Sequence, residues 1–308
     1  MPAMRDVFWN EIYALAKDNR DIVILSADFA APSLDKFRLD LPSQFIELGI
    51  SEQNMILVAA GMALEGKQPF CYAISPFITM RCFEQTRLYV AGMNLPITLV
   101  GVGAGFAYSD SGYTHHSVED IAIMRTLPHM RIFQPSDNDT TKILAKLALE
   151  SSSPVYVRLD RYGKENLIGN TDHVSSGMSV VRPIEKITLL ASGNMLMTAL
   201  EVALRLAEQN ISIGVVDACI FPLDPNRFHE IFADVDHLIT LEEHTFIGGI
   251  GSHVLELISD CDMKLRVKRF ALDLSNGYVH EYGGRDLIHQ QQKMDSESII
   301  SYVRSVCV

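Results

Sequence analysis

Short apolar runs alternate along the chain with longer segments in which apolar residues recur at helical spacing. The runs include IVILSAD at residues 22–28, PITLVGVG at 96–103 and PVYVRLDR at 154–161. Runs of this length are typical of strands in a parallel sheet, because helices cover both faces of such a sheet. Between them, residues 5–16 and 51–66 show the three- and four-residue spacing of helices that pack by one side. The alternation predicts a doubly wound α/β fold.

The alternation pauses at about residues 163–185, where the chain is polar and contains glycine. It resumes with apolar runs at 186–193, 212–219 and 237–243. A polar pause of this kind is typical of a domain boundary. We therefore expect two doubly wound α/β sandwich domains, at residues 1–165 and 184–308, joined by a linker at 166–183.

Charge and cysteine content restrict the class of protein. The chain has 26 Lys and Arg residues against 38 Asp and Glu residues, which gives a net charge of −12. This balance argues against a nucleic-acid binder, which needs a basic face. Residues 1–19 lack the apolar core of a signal peptide, no segment has the pattern of a membrane span, and the five cysteines show no C-x-x-C spacing. We expect a cytoplasmic protein that binds neither nucleic acid nor membrane.

Two glycine-rich segments follow predicted strands. GVGAG at residues 101–105 is followed by FAYSDSGYTHH, which does not begin a helix. We therefore expect a turn there, not a dinucleotide-binding loop, which opens a helix. GGIG at residues 248–251 does open a helix but lacks the third glycine of that motif. It predicts tight strand-to-helix packing, with an anion site on the free helix amides as the alternative.

Four positions carry side chains suited to chemistry, and each also has an ordinary structural interpretation. Glu52 begins a helix after Ser51, where the helix dipole favours a carboxylate and the serine is suited to an N-cap. His115 lies in a polar loop after a strand, and its imidazole is suited to proton transfer. Arg158 and Arg161 end a strand at the sheet edge where α/β proteins bind ligands, although surface salt bridges explain them equally well.

A metal site is the alternative for residues 115–120. His115 and Glu119, and likewise His116 and Asp120, would share one face of a helix. No further cluster of Cys or His completes a closed shell, so we expect a polar loop and no metal ligands on this chain. The sequence also lacks the G-x-S-x-G elbow of serine hydrolases.

Several motifs together point to a known family. LGISEQNM at residues 48–55, followed by AAGMA at 59–63, resembles the pyrimidine-binding domain of the transketolase group of thiamine-diphosphate enzymes. Further blocks match that domain in the same order: SADFAAPS (26–33), VGVGAGF (100–106), THHSVED (114–120), LPHMRIFQPSD (127–137) and PVYVRLDR (154–161). The blocks at 187–203 and 238–252 resemble the group's C-terminal domain. The resemblance covers nearly the whole chain.

One motif of the group does not occur in the chain. A transketolase-type enzyme also has a diphosphate-binding domain, in which G-D-G and a later Asn hold a divalent metal, and the chain contains no G-D-G. The resemblance therefore implies one half of a split enzyme. A partner, the N-terminal diphosphate-binding subunit, would hold the diphosphate and Mg²⁺ (or Ca²⁺) in an α2β2 heterotetramer.

The resemblance assigns cofactor-binding roles to several residues. Glu52 matches the carboxylate that hydrogen-bonds N1′ of the cofactor's aminopyrimidine, which favours the tautomer that removes the proton from C2 of the thiazolium. Phe77, or Ile78 if the alignment shifts by one position, matches the aromatic residue that stacks on the pyrimidine. The other residues implied at the cofactor are Arg81, Ile50 and Asp28.

A second group of residues is implied in substrate binding. His115 matches the histidine of a G-P-T-H loop that contacts the donor's hydroxyl or carbonyl. Arg161 matches the arginine that binds the substrate phosphate in transketolases, and Arg158 matches a second arginine seen in deoxyxylulose-phosphate synthases. Arg5 and Ser33 match further residues of the phosphate pocket.

The chain departs from the transketolase pattern near this loop. Ser111, Gly103 and Tyr113 stand where transketolases usually have Asp, His and Pro. The resemblance implies a sugar or sugar-phosphate substrate. These departures leave the identity of the sugar open and allow a substrate other than the usual pentose phosphates.

The resemblance implies a subunit that transfers a two-carbon ketol unit, glycolaldehyde, from a ketose to an aldose. One alternative is the beta subunit of a 2-oxo acid dehydrogenase decarboxylase component, which shares the split and the G-I-x-E-Q motif. A deoxyxylulose-phosphate synthase and a non-catalytic regulatory chain that kept the fold are the remaining alternatives.

Overall fold

Parallel strands build the first sheet, and helices cover its faces. The computed structural model describes residues 2–28, 31–164, 166–169 and 171–307. The strands of the first domain are β1 (Ile22–Ser26), β2 (Phe45–Glu47), β3 (Gln68–Ile74), β4 (Thr98–Val102), β5 (Arg131–Phe133) and β6 (Val155–Leu159). Its helices are α1 (Met4–Ala16), α2 (Asp35–Asp40), α3 (Glu52–Leu64), α4 (Phe83–Gln85), α5 (Asp120–Met124) and α6 (Asn138–Leu149). These strands lie in the order β5-β6-β4-β3-β1-β2, and neighbouring pairs are parallel.

The second domain repeats this architecture with a smaller sheet. Its strands are β7 (Met178–Arg182), β8 (Ile187–Ala191), β9 (Gly214–Ala218), β10 (Ile220–Phe221), β11 (His237–Thr245) and β12 (Arg266–Leu272). Its helices are α7 (Met195–Ala207), α8 (Pro225–Phe232), α9 (Ile250–Asp260), α10 (Arg285–Gln291) and α11 (Ser296–Val306). The sheet order is β12-β11-β8-β9-β7, with β7 antiparallel to β9 and the other pairs parallel. The predicted fold class is therefore confirmed.

Two strands lie where the sequence pattern did not predict them. The segment 166–183, expected to be a linker, contains β7, which pairs with β9 in the second sheet. Its polar composition hid this edge strand. β10 crosses to the other domain, where Ile220 pairs antiparallel with Phe133 of β5. The second domain thus adds an edge strand to the first sheet, which ties the domains together.

The segment after β3 is helical but irregular. Two π-helical stretches, Phe77–Arg81 and Thr86–Ala91, flank the short helix α4. π-helical turns are frequent at functional sites, and the first of these turns carries Phe77 and Arg81.

Helix α1 is fixed on the first sheet by aromatic contacts. The Trp9 ring lies edge-on to Phe8 and Tyr72, with 5.2 Å between ring centroids in both pairs. All three side chains are fully buried, and truncation of such a residue to alanine costs about 3–5 kcal/mol. Because α1 runs back towards the start of β1, its first turn, with Arg5, lies at the edge where the parallel strands end. Within the described ranges, no helix is long and apolar enough to cross a membrane.

Candidate active site

The carboxyl-terminal edge of the first sheet collects most of the predicted site residues. Strand β2 leads into α3, which begins at Glu52, and β3 leads into the π-helical turn with Phe77 and Arg81. The turn after β4 opens the loop with His115, and Arg161 follows β6. Parallel strands end at a common edge, which is where ligands bind in open α/β sheets.

Glu52 is a buried carboxylate held by an arginine. Its side chain is 3% exposed, and Arg81 Nη1 lies 2.9 Å from each of its carboxylate oxygens. The Arg81 side chain is 42% exposed, so it closes the site from the solvent side. Ser51 does not cap the helix as expected, because its hydroxyl donates to the Leu48 carbonyl at 2.8 Å. The carboxylate of Glu52 therefore faces Arg81 at the start of α3.

Phe77 connects this acidic position to His115. The Arg81 guanidinium lies 4.2 Å from the centroid of the Phe77 ring, and the His115 ring lies edge-on to Phe77 at 5.3 Å. Ile78, the alternative stacking residue, is fully buried in the core. We therefore favour Phe77 over Ile78 as the stacking residue, because the Phe77 ring lies beside both Arg81 and His115.

Tyr108 was not predicted and lies between His115 and Arg161. Its ring centroid is 6.3 Å from that of His115 and 5.1 Å from the Arg161 guanidinium carbon. A Cβ at Gly103, where φ is +101°, would lie 2.4 Å from the Tyr108 ring. Glycine at 103 therefore leaves room for Tyr108. The sequence showed glycine in place of histidine at 103 but gave no indication that Tyr108 lies against it.

Arg5 and Ser33 approach the same group of residues from α1 and the segment before α2. Ser33 Oγ donates to Asp6 Oδ1 at 2.8 Å, and Arg5 Nε lies 3.7 Å from Asp6 Oδ2. Burial raises the pKa of Tyr108, while the positive charges of Arg5 and Arg161 act in the opposite direction. Both arginines therefore lie close enough to this phenol to act on it.

The loop histidine has one polar partner within its own loop. Thr114 Oγ1 lies 3.0 Å from His115 Nδ1. The neighbouring His116 is buried and lies edge-on to Phe106 at 4.9 Å between ring centroids, and burial lowers the pKa of its imidazole. His115 is thus the more exposed imidazole of the pair, and His116 belongs to the core.

Arg158 lies apart from this group. It is 1% exposed, and its Nε donates to Asp120 Oδ2 at 2.7 Å while Nη2 donates to the Ser117 carbonyl at 2.6 Å. Tyr156 completes the pair by donating its hydroxyl to the same Asp120 oxygen. The sequence offered a surface salt bridge as the alternative for Arg158; a salt bridge is present, but it is buried in the core. The predicted substrate contact of Arg158 stays a prediction.

Asp28 and Ile50 lie at the rim. Asp28 has a φ of +54° after β1, and its backbone N–H donates to Glu47 Oε1 at 2.7 Å. Ile50 precedes α3 and is 75% exposed. Their predicted roles at the cofactor stay predictions.

The glycine segment at 248–251 holds a carboxylate of the chain itself. Ile250 N–H and Gly251 N–H donate to the two oxygens of Glu242, at 2.6 and 2.9 Å. Burial raises the pKa of Glu242 to about 7. The free helix amides considered as an anion site are therefore already bound to Glu242.

Metal ligation was the other alternative considered from the sequence. In the part of the chain that the structure describes, no group of three or more His, Cys, Asp or Glu side chains is placed to hold a metal ion. The carboxylate of Asp120 is bound by Arg158 and Tyr156 inside the core.

Comparison with known proteins gives the family. Residues 1–163 match the transketolase pyrimidine-binding domain, and residues 177–278 match the transketolase C-terminal domain. One subunit of the apulose-4-phosphate transketolase of Phocaeicola vulgatus is 33% identical over 271 residues, which are 87% of this chain and 87% of that protein. The 1-deoxy-D-xylulose-5-phosphate synthase of Microcystis aeruginosa is 33% identical over 278 residues, which are 88% of this chain but 43% of that protein.

A solved structure matches both domains together. The protein described as "split gene transketolase, inactive beta4 tetramer" superposes with a TM-score of 0.85 at 29% identity. The match covers 99% of this chain and 98% of that chain. The resemblance seen in the motifs is thereby confirmed. The chain belongs to the transketolase family, as a subunit of the type that carries the pyrimidine-binding and C-terminal domains of a split enzyme.

Proposed function

We propose that this chain, with a partner subunit, is a thiamine-diphosphate-dependent transketolase that moves a two-carbon ketol unit from a ketose to an aldose. The observation that carries the proposal is the buried Glu52 carboxylate at the carboxyl edge of the first sheet. Arg81 binds this carboxylate and lies over the Phe77 ring, which is edge-on to His115. The name of the Phocaeicola relative supports the same reaction type.

The chemistry of the side chains fits one end of the cofactor. The transketolase family depends on thiamine diphosphate. A buried carboxylate at Glu52 is suited to a ring nitrogen of the aminopyrimidine, and Phe77 offers an aromatic face. When bound, thiamine diphosphate supplies the nucleophilic carbon and electron sink for cleaving the bond next to a ketone. Glu52 would hold and polarise the aminopyrimidine.

The diphosphate end of the cofactor needs a metal site and hydrogen-bond donors that the described residues of this chain do not offer. Among the described residues there is no acidic cluster suited to Mg²⁺ or Ca²⁺, and the amides at 250–251 are bound to Glu242. We propose that the partner supplies the diphosphate and metal site, in an α2β2 heterotetramer.

Near Glu52, two segments that pack against each other expose apolar side chains, and we call these residues together the α3 face. It combines α3 with the helical segment after β3, and its exposed members are Ile50, Leu57, Leu64, Met80, Leu88, Tyr89 and Met93. Contiguous exposed apolar patches are typical of interaction surfaces. We propose that the partner covers this face, which would enclose the cofactor between the chains.

His115 and the arginines supply the substrate end. The partly exposed His115 imidazole is suited to exchanging a proton with a substrate hydroxyl. Arg161, whose side chain is 42% exposed, and Arg5 place positive charge beside it, where a terminal phosphate would bind. Arg158 is bound by Asp120 and the Ser117 carbonyl inside the core, so its predicted substrate contact would require the guanidinium to leave these partners.

The proposal is tested on the native complex. The tagged chain is purified from its source cell, the chains that accompany it are identified, and ketol transfer from ketose phosphates to aldoses is measured. We expect a partner that carries G-D-G, and activity that is lost on removal of thiamine diphosphate and Mg²⁺ and restored by both.

Other outcomes would replace the proposal with one of its alternatives. Release of CO₂ from pyruvate with capture by an aldehyde would indicate a deoxyxylulose-phosphate synthase activity. Oxidation of a 2-oxo acid with a lipoyl partner would indicate a dehydrogenase component. A complete complex that binds no thiamine diphosphate would indicate a non-catalytic chain.

A further inference from the structure

Glu243, in the second domain, reaches into the turn that follows β4 of the first domain. Its Oε2 accepts the backbone N–H of Phe106 at 3.0 Å. Gly105, with φ at +56°, makes this approach possible, since a Cβ there would lie 1.9 Å from the same oxygen. We propose that Glu243 is a positioning residue, which fixes the loop at residues 104–118 and thereby the place of His115. The catalytic part of this inference rests on the proposed function.

The other oxygen of Glu243 is bound by two basic side chains of its own domain. Oε1 lies 2.9 Å from Arg285 Nε and 2.6 Å from His289 Nε2. Glu243 is 2% exposed, and although burial opposes ionisation, Arg285 and His289 lower the pKa of its carboxyl to about 2. The Glu243 carboxylate is therefore ionised at neutral pH.

Arg285 extends the contact to two segments of the first domain. Its Nη2 donates to the Ala104 carbonyl at 3.1 Å, and its Nη1 donates to Asp160 Oδ2 at 2.8 Å. Ala104 opens the loop with His115, and Asp160 directly precedes Arg161. The Glu243–Arg285 pair therefore binds the two segments that carry His115 and Arg161.

The loop is closed at its neck, which is where Glu243 binds it. Gly105 N–H donates to the Ser117 carbonyl at 3.0 Å, and Ser117 N–H donates to the Gly105 carbonyl at 2.9 Å. Arg158 Nη2 also bonds both the Ser117 and Glu243 carbonyls, at 2.6 and 3.2 Å. Displacement at this neck would move the intervening residues as a unit, and those residues include Tyr108 and His115.

Glu52 lies outside this network, because it is carried by α3 and contacts Arg81. Loss of the Glu243 contact should therefore loosen the substrate loop and leave the cofactor carboxylate in place. This separation predicts a fall in kcat, or a rise in the KM of the sugar, without a change in affinity for thiamine diphosphate.

The first test uses the chain alone and does not depend on activity. Hydrogen–deuterium exchange is measured in residues 104–118 of wild type, Glu243→Ala and Glu243→Gln. Glu208→Ala, at an exposed position of the same domain, is the matched control. We expect exchange about tenfold faster in Glu243→Ala, from the loss of a charge-assisted hydrogen bond. Glu243→Gln keeps an acceptor for Phe106 N–H and should restore part of the protection, and Glu208→Ala should match wild type.

A second variant approaches the same contact from the first domain. Gly105→Ala places a methyl group against Glu243, whereas Gly169→Ala has the same sign of φ but nothing within 4 Å of the added Cβ. We expect Gly105→Ala to speed exchange in residues 104–118, and Gly169→Ala to leave it unchanged. If Glu243→Ala does not fold, the comparison of Gly105→Ala with Gly169→Ala decides whether the Glu243 contact positions residues 104–118.

The results separate the two proposals. Wild-type exchange at residues 104–118 in folded Glu243→Ala and Gly105→Ala would overturn the positioning role, whatever the enzyme does. In the complete enzyme, the positioning role predicts about tenfold lower kcat/KM in Glu243→Ala, with the thiamine-diphosphate Kd within about twofold of wild type. A wild-type complex without ketol transfer, but with faster loop exchange in the variants, would overturn the proposed function and leave the loop contact standing.

Discussion

Arg81 Nη1 lies 2.9 Å from each carboxylate oxygen of Glu52, and the same guanidinium lies 4.2 Å from the centroid of the Phe77 ring. The side chains proposed to receive the aminopyrimidine are therefore engaged with one another in the chain by itself. A ring nitrogen that binds Glu52 has either to share this carboxylate with Arg81 or to displace the arginine from one oxygen. We infer displacement, in which the arginine competes with the cofactor for the carboxylate.

The first prediction follows from this competition. Arg81→Met should raise the affinity of the assembled enzyme for thiamine diphosphate about two- to fivefold, because a partly exposed ion pair worth about 0.5–1 kcal/mol no longer has to be broken. Titration calorimetry measures the change, and Arg227→Met on the surface of the second domain is the control. Weaker binding in Arg81→Met would show that the arginine assists the cofactor.

The second prediction contrasts the two arginines at the end of β6. Arg158→Ala should lower the free energy of unfolding by about 3–5 kcal/mol, because it leaves the buried Asp120 carboxylate without its cation. Arg161→Ala should change stability by less than about 0.5 kcal/mol but raise the KM of a phosphorylated sugar. Urea unfolding and steady-state kinetics measure the two effects. Equal stability of the variants would contradict the role assigned to Arg158.

The third prediction concerns pH and the buried Asp217. Burial raises the pKa of Asp217 to about 7, and Ser136 donates a hydrogen bond to its carboxyl group. A carboxyl whose pKa is higher in the folded state than in the unfolded state binds its proton more tightly when folded. Its contribution to stability is therefore full below about pH 4 and is lost as the pH rises towards 7.

Asp217→Asn should remove the part of the pH dependence of stability that comes from this carboxyl group. Relative to wild type, the variant should gain stability between about pH 4.5 and pH 7.5, by a few kcal/mol in unfolding free energy. Urea unfolding at both pH values measures it, with the exposed Asp236→Asn as control. A constant difference between Asp217→Asn and wild type across this range would contradict the assignment.

The fourth prediction tests the partner surface. Leu57 lies on the α3 face and is 43% exposed, while Leu204 on α7 is 58% exposed and lies on the other domain. Leu57→Asp should reduce recovery of the partner in co-purification, because a charge would be buried at the contact. Leu204→Asp should recover the partner as wild type does. Loss of the partner in Leu204→Asp alone would place the contact on α7.

The sequence predicts the parts of the molecule that local pattern controls. The parallel strands follow from apolar runs such as residues 22–28, and the motif around Glu52 identifies the acidic position. The edge strand β7 was missed, because its five residues follow directly on the polar, glycine-containing segment at 166–177 and form only a short apolar run. The π-helical turn at Phe77–Arg81 was also missed, since the residue spacing there is compatible with an ordinary helix.

Contacts distant in sequence were beyond prediction from pattern. Glu243 meets Gly105 across the domain boundary, and neither residue carries a local signal for the other. For Arg158 the local signal was misleading. Its place at a strand end suggested a ligand contact, but Asp120 binds it within the core. Which polar residues are buried together depends on how the domains pack, and that information is not local.

The most direct test of the account is the rate of ketol transfer by the assembled enzyme with Glu52→Gln. The substitution keeps the shape of the side chain but removes the negative charge from its place in the site. Transfer measured at saturating thiamine diphosphate and Mg²⁺ should fall by at least about a hundredfold, the scale of a lost catalytic acid–base contact. A Glu52→Gln enzyme that transfers the ketol unit at the wild-type rate would contradict the central claim.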